Sequence, residues 1–146
     1  MKLLILLIFI FGCSSPFYPF IQSEEDEEIS SVTFELDNEV DENGYVHITS
    51  NPNVFQTLYR LKGYVYRDGE PMNVLKFGWY CDYSYDWNGF DIPILNSSSY
   101  SRMDGEVNTM LGIISDMIGD TITIHYGWYD DWKSEEIYGE IYVVIH

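Results

Sequence analysis

The side chains able to do chemistry fall into few kinds. His47, His125 and His146 are the only histidines, Cys13 and Cys81 the only cysteines, and 24 Asp and Glu outnumber them. Acid–base or nucleophilic catalysis needs a positioned base beside its target. No GxSxG, HExxH, Gly-rich phosphate loop or paired CxxC is present. His125 falls on the polar phase of an alternating run, and His146 is the last residue. A glycosidase-type carboxylate pair is not excluded by counting acids, but a small β domain offers little cleft for a sugar chain. The expectation is a protein that is not an enzyme.

Two other chemistries remain, ion binding and aromatic contact. Asp82, Asp86 and Asp91 cluster with Asn88 in the run CDYSYDWNGFD. Hard cations take several oxygen ligands from such loops, so weak calcium binding is one reading; no other cofactor is expected. The competing reading is that Asp and Asn build turns and solvate an acidic surface. Glu39-x-Asp41-x-Asn43-Gly44 is similar to the start of an EF-hand loop, but Ser50 stands where the bidentate Glu belongs. The aromatics are denser still. Tyr83, Tyr85, Trp87 and Phe90 share the first run, and Trp128, Tyr129 and Trp132 surround Asp130-Asp131. Aromatic rings stack on flat ligands and lead interface hot spots. Tyr85, Trp87, Phe90, Trp128, Tyr129 and Trp132 are therefore the candidate ligand-binding set, placed on two loops expected at one end of the fold. They would bind a protein or a carbohydrate. The competing reading makes them a satellite core under long loops.

What positions these residues is a two-residue period. Val32, Phe34 and Leu36 alternate with polar neighbours, and so do Tyr59–Val65, Leu75–Cys81, Val107–Ile113, Ile122–Trp128 and Ile141–Ile145. Tyr45–Thr49 is a further β-rich run. Such alternation gives half-buried strands. Asn43-Gly44, Asp68-Gly69, Asn88-Gly89, Asp104-Gly105 and Gly119-Asp120 supply the turns. The pattern predicts an all-β fold, an antiparallel sandwich of about seven strands. Met110–Ile118 has partial helical spacing, but a strand followed by a loop is preferred. Trp79 is expected in the core. Cys81 alternates in phase with Leu75, Phe77 and Trp79 and is expected as a buried small hydrophobe.

Ahead of this domain lies a different kind of sequence. One positive charge, Lys2, precedes an apolar run from Leu3 to Phe11. Nine residues span about 14 Å as a helix, too short for a hydrocarbon core of ~30 Å. This is the layout of a secretory signal peptide. The run ends Ile10-Phe11-Gly12-Cys13, which resembles the lipobox of bacterial lipoproteins. The resemblance implies cleavage before Cys13 and acylation of Cys13 with chains such as palmitate, a stable membrane anchor. Ser14 after the Cys resembles outer-membrane sorting, at the periplasmic face or the surface of the envelope. Residues 13–30 then carry five consecutive acids, Glu24–Glu28, with Pro and Ser. They read as a flexible acidic tether, because dense like charges extend a chain. The expected organisation is 1–12 signal peptide, 13–30 lipidated Cys and linker, and 31–146 β-sandwich. With Cys13 acylated, no intramolecular disulfide is available.

The net charge is −17. That disfavours nucleic acid, which needs a basic footprint, and adsorption to anionic lipid through basic residues.

The domain also carries a resemblance. Leu61-Lys-Gly-Tyr-Val-Tyr-Arg-Asp68-Gly69-Glu-Pro71 followed by Val74 and Trp79, Ser101-Arg-Met-Asp104-Gly105-Glu-Val107-Asn-Thr109-Met-Leu111, and Ile118-Gly119-Asp120-Thr-Ile-Thr-Ile124 occur in that order. Together they resemble the bacterial immunoglobulin-like domains of the invasin/intimin type. Gly63-x-Val65 also resembles the carboxypeptidase-regulatory-type sandwich, but the distance from Asp68 to Asp104 fits the invasin type better. The resemblance implies an Ig-like fold with binding, adhesive or spacer roles and brings no catalytic residue. The expected function is a lipid-anchored envelope protein with a non-catalytic binding or adhesion domain. The alternative is an accessory subunit of an envelope complex with no ligand of its own.

Overall fold

The computed structural model describes residues 31–130 and 135–146. The signal, Cys13 and the acidic tract lie outside the described residues. Among the described residues eleven strand segments form two larger sheets and a hairpin. In the first sheet, β3 (Gln56–Arg67) is central. It pairs with β1 (Val32–Leu36), β4 (Glu70–Pro71) and β9 (Glu106–Ile114), all antiparallel. The second sheet has the order β2 (Tyr45–Ile48), β11 (Glu135–Ile145), β10 (Thr121–Asp130), β5 (Lys76–Cys81), β8 (Ser98–Tyr100). β6 (Ser84–Trp87) and β7 (Phe90–Pro93) make the separate hairpin.

The fold is all-β and sandwich-like, as the period of two requires. Every alternating run became a strand. The strand count departs from seven because four short segments, β4, β6, β7 and β8, join them. β6 and β7 replace the loop expected over 82–91, and Trp128 and Tyr129 lie within β10 rather than on a loop. Asn88 and Gly89 between β6 and β7 have φ of 55° and 83°, the double left-handed pair that a two-residue hairpin demands. β9 is followed by a 3₁₀ turn, Ser115–Met117, so Met110 is on a strand. One pairing is not antiparallel: β2 runs parallel to β11, with Tyr142 beside Tyr45 and Ile145 beside Ile48. After β1 the chain crosses from the first sheet to the second, so no tight turn forces β2 to run against its neighbour.

The two sheets meet over a shared core. Phe34 of the first sheet lies 4.2 Å from the Tyr126 ring, 5.4 Å from Phe77 and 6.2 Å from Trp79, centroid to centroid. Gly63 and Gly139 make room for this cluster. A Cβ on Gly63 would strike the Phe34 ring, and one on Gly139 would strike the Tyr126 hydroxyl. Trp79 is buried as expected, and its indole N–H donates to Ser99 Oγ at 3.0 Å. Val46, Leu61, Leu111, Ile113, Ile124 and Val143 continue the core away from the rings. Each such side chain contributes about 1.5–3 kcal/mol by leaving water.

A candidate ligand-binding face

The solvent face of the second sheet holds the most distinctive surface. Residues 76, 78 and 80 of β5 point outward, as do 125 and 127 of β10 and 138 and 140 of β11, because the inward phase of each strand fills the core. Register then aligns them. Ser98, Gly78, Gly127 and Tyr138 form one row across four strands; Tyr80, His125 and Glu140 form the next. Gly78 faces Gly127 directly. Gly78 leaves bare backbone, while the Tyr138 ring lies over Gly127 beside it, and together they floor a groove of about 520 Å³. Lys76, Tyr80, Ser97, Ser98, His125, Trp128 and Tyr138 line it. Tyr80 and Tyr138 stand as walls, 59% and 64% exposed.

The polar groups around the groove are already oriented. Tyr80 donates its hydroxyl to Asp82 Oδ1 at 2.6 Å, and Tyr142 donates to Glu140 Oε2 at 2.6 Å. Each phenol pKa is raised above the ordinary tyrosine value by the carboxylate that accepts its proton. Both therefore stay neutral, ready to stack. His125 Nδ1 lies 3.4 Å from Glu140 Oε1, and the His125 ring lies 5.9 Å from the Tyr80 ring. Aromatic walls, a flat floor and a few donors suit the holding of a flat polar ligand.

The six aromatics expected to bind together are split. β5 and β10 are antiparallel with Gly78 beside Gly127 and Cys81 beside Ile124. The chain leaving β5 after Cys81 therefore emerges at the Thr121 end of β10, away from Trp128. A small recess lined by Cys81, Asp82, Tyr83, Thr121, Ile122 and Thr123 confirms that neighbourhood. So Tyr85, Trp87 and Phe90 sit at one end, while Trp128 and Tyr129 sit at the other, and the expectation of a shared end is corrected. Tyr85 is half-buried and edge-on to Phe55, at 6.0 Å, while Phe90 is 71% exposed. Trp128 turns inward and takes the Arg67 guanidinium 5.7 Å over its ring. Trp132 lies outside the described residues.

The three candidate calcium ligands do not converge. Asp82 accepts from Tyr80, while Asp86 stands across the hairpin from Asp91 and takes the Gly89 N–H at 3.1 Å. Among the described residues no three His, Cys, Asp or Glu gather to hold a metal ion. Asp41 likewise serves a turn, accepting the Asn43 and Tyr45 amides at 2.9 Å each. Cys81 is half-buried, and burial pushes its thiol pKa up, which leaves it a poor nucleophile.

No protein-family model, no curated protein and no solved structure matches this chain. What the fold defines is an all-β, sandwich-like protein with an open, tyrosine-walled sheet face. Among the described residues no helix is long and apolar enough to cross a membrane.

Proposed function

We propose that the chain is a secreted, lipid-anchored bacterial envelope protein. Its Ig-like domain recognises a neutral, flat polar ligand, a saccharide ring by preference, without turning it over. The observation that carries the recognition is the open backbone at Gly78, bordered by Tyr80 and by the Tyr138 ring that lies over Gly127. A sugar face stacks on such rings, while Ser98, His125 and Lys76 offer hydrogen bonds at the rim. The net charge of −17 argues against anionic ligands. The Ig-like assignment is supported by strand neighbours: β3 with β9 corresponds to strands B and E of that fold, and β5–β10–β11 to C, F and G. The anchor is supported by the apolar run and Ile10-Phe11-Gly12-Cys13 alone.

Two experiments test this reading. Cys13→Ala should abolish incorporation of labelled palmitate and release the protein from membranes; retention of label would sink the anchor. A neutral-glycan array probed with wild type and with Tyr138→Ala should give signals that the variant loses. Signals equal in both would move the site elsewhere. Intact cells treated with a non-permeant protease then separate surface from periplasm. Loss of a C-terminal tag supports adhesion. Protection until the outer membrane is broken favours an accessory subunit. A separate feature also favours that second reading. Phe55, Leu58 and Phe90, each well over half exposed, stand at the end of the fold where β3 begins, and clustered exposed apolar residues mark protein contacts. Phe55→Ser with Phe90→Ser should then release a co-purifying partner that Tyr138→Ala retains.

A further inference from the structure

The edge of the second sheet brings two of the three histidines together. β2 and β11 run parallel with Val144 beside His47, which places His146, just past β11, diagonal to His47 on the solvent face. Backbone bonds pin His146 to the strand that carries His47. The His146 N–H donates to the Ile48 carbonyl at 2.8 Å, and the His146 carbonyl accepts the Ser50 N–H at 2.7 Å. The imidazoles are nearly coplanar in orientation, 11° apart, and His47 Nδ1 lies 2.7 Å from His146 Nε2.

The far side of the His47 ring settles its tautomer. Asp41 Oδ2 lies 3.0 Å from His47 Nε2. The Asp41 carboxylate is itself held by the Asn43 and Tyr45 amides, which donate to its Oδ1 at 2.9 Å each and leave Oδ2 to accept from the imidazole. An ionised carboxylate accepts, so Nε2 carries the proton. That leaves the Nδ1 lone pair aimed at His146 Nε2. Two ring nitrogens that face each other need an electron-pair acceptor between them, either a proton or a metal ion. A carboxylate holding the outer N–H of a histidine is the arrangement that orients metal-ligating histidines.

We propose that His47 Nδ1 and His146 Nε2 form a two-histidine site for a divalent late first-row metal ion, with zinc, nickel or copper as its chemical class and Asp41 as the positioning residue. Imidazole suits these ions, whereas calcium and magnesium take oxygen. Nitrogens on a tetrahedral zinc at ~2.0–2.1 Å stand about 3.4 Å apart, so the present 2.7 Å must open by about 0.7 Å. His146 is exposed, and a small side-chain rotation supplies that opening. Water completes the coordination shell, since Asp41 lies on the opposite edge of the His47 ring. The inference is independent of the glycine-floored groove, which lies on β5 and β10.

The test uses the purified full chain without a polyhistidine tag. Zinc chloride is titrated while the imidazole proton resonances of the three histidines are followed, with calorimetry alongside. The expected result is saturable one-to-one binding that moves two of the three resonances and leaves that of His125 in place. His146→Gln and His47→Gln should each lower affinity at least tenfold, with an unchanged far-ultraviolet dichroism spectrum. Asp41→Asn should lower it by roughly 10–100-fold, as loss of an orienting partner does. If no saturable binding appears, the pair shares a proton only, and the proposal fails. Binding that survives both histidine substitutions would also overturn it and assign the ion to the acidic residues instead.

Discussion

The Tyr138 ring lies across the backbone of Gly127 on the neighbouring strand, its Cδ1 2.5 Å from where a Cβ on that glycine would stand. Gly78, opposite Gly127, is the roomier of the two: a Cβ there meets only the Gly127 carbonyl at 3.4 Å. The floor can therefore be filled without disturbing the sheet. Gly78→Ala should leave stability unchanged or raise it by ~0.5–1 kcal/mol, as removal of a strand glycine does. The same variant should lose ligand retention on the glycan array. Filled floor and full retention together would place the ligand away from this groove.

The glycines behind the sheet should behave in the opposite way. Gly63 faces Phe34 and lies 2.7 Å, by its missing Cβ, from the Glu35 carbonyl; Gly139 faces the Tyr126 ring. Overpacking of a filled core costs about 1–3 kcal/mol, and more when backbone must move. Gly63→Ala should cost at least 2 kcal/mol, read from the midpoint of urea unfolding, and Gly139→Ala less, because the Tyr126 ring can tilt. Equal tolerance at 63, 78 and 139 would contradict the packing described.

Val74 carries strain that can be removed. Its φ is 55°, a left-handed value that a β-branched side chain adopts only at a cost of about 1–3 kcal/mol. The side chain is exposed and buries little in return. Val74→Asn, with a residue at home in that region, should stabilise the domain by about 1 kcal/mol in the same assay.

Asp41 sets an acid limb. Its folded pKa of about 2 lies below the ordinary aspartate value, chiefly because the Tyr45 amide and His47 bond its ionised form. A depressed folded pKa favours folding above the unfolded value and ceases to do so as pH falls through the folded one. The contribution is therefore whole above about pH 4 and gone near pH 2. Asp41→Asn should flatten the stability profile across that window, read from urea midpoints between pH 2 and pH 5.

The strands were legible because one face of each is buried, so Val32–Leu36, Lys76–Cys81 and Ile141–Ile145 declare themselves by alternation. The hairpin over Ser84–Pro93 leaves only a short trace, Tyr85 and Trp87 alternating with Ser84 and Asp86 before Asn88-Gly89, and with four residues a side it reads from sequence as a loop rich in acids. The groove left a trace as well. Phe77-Gly78-Trp79-Tyr80 and Tyr126-Gly127-Trp128-Tyr129 repeat one pattern, aromatic-Gly-Trp-Tyr. A glycine in mid-strand signals close approach, but only register shows that these two face each other. Nor does local sequence tell which sheet ends coincide, which is why Phe90 and Trp128 were expected to be neighbours. The His47–His146 pair is less legible still. It joins residues 99 positions apart through a parallel pairing that no turn announces.

The parallel run of β2 beside β11 has a mechanical meaning. Ser31 is tied to Asp68 at the end of the sandwich where β3 finishes, while the β6–β7 hairpin stands toward the end where β3 begins. Tension between those ends draws β1 along β3 and β2 along β11, each strand along its own axis. Hydrogen bonds loaded along a strand share the load and fail together; bonds loaded across it open one at a time. A domain held by its leading segment and pulled from the far end thus resists in shear. In a single-molecule stretch it should rupture at one high force rather than peel.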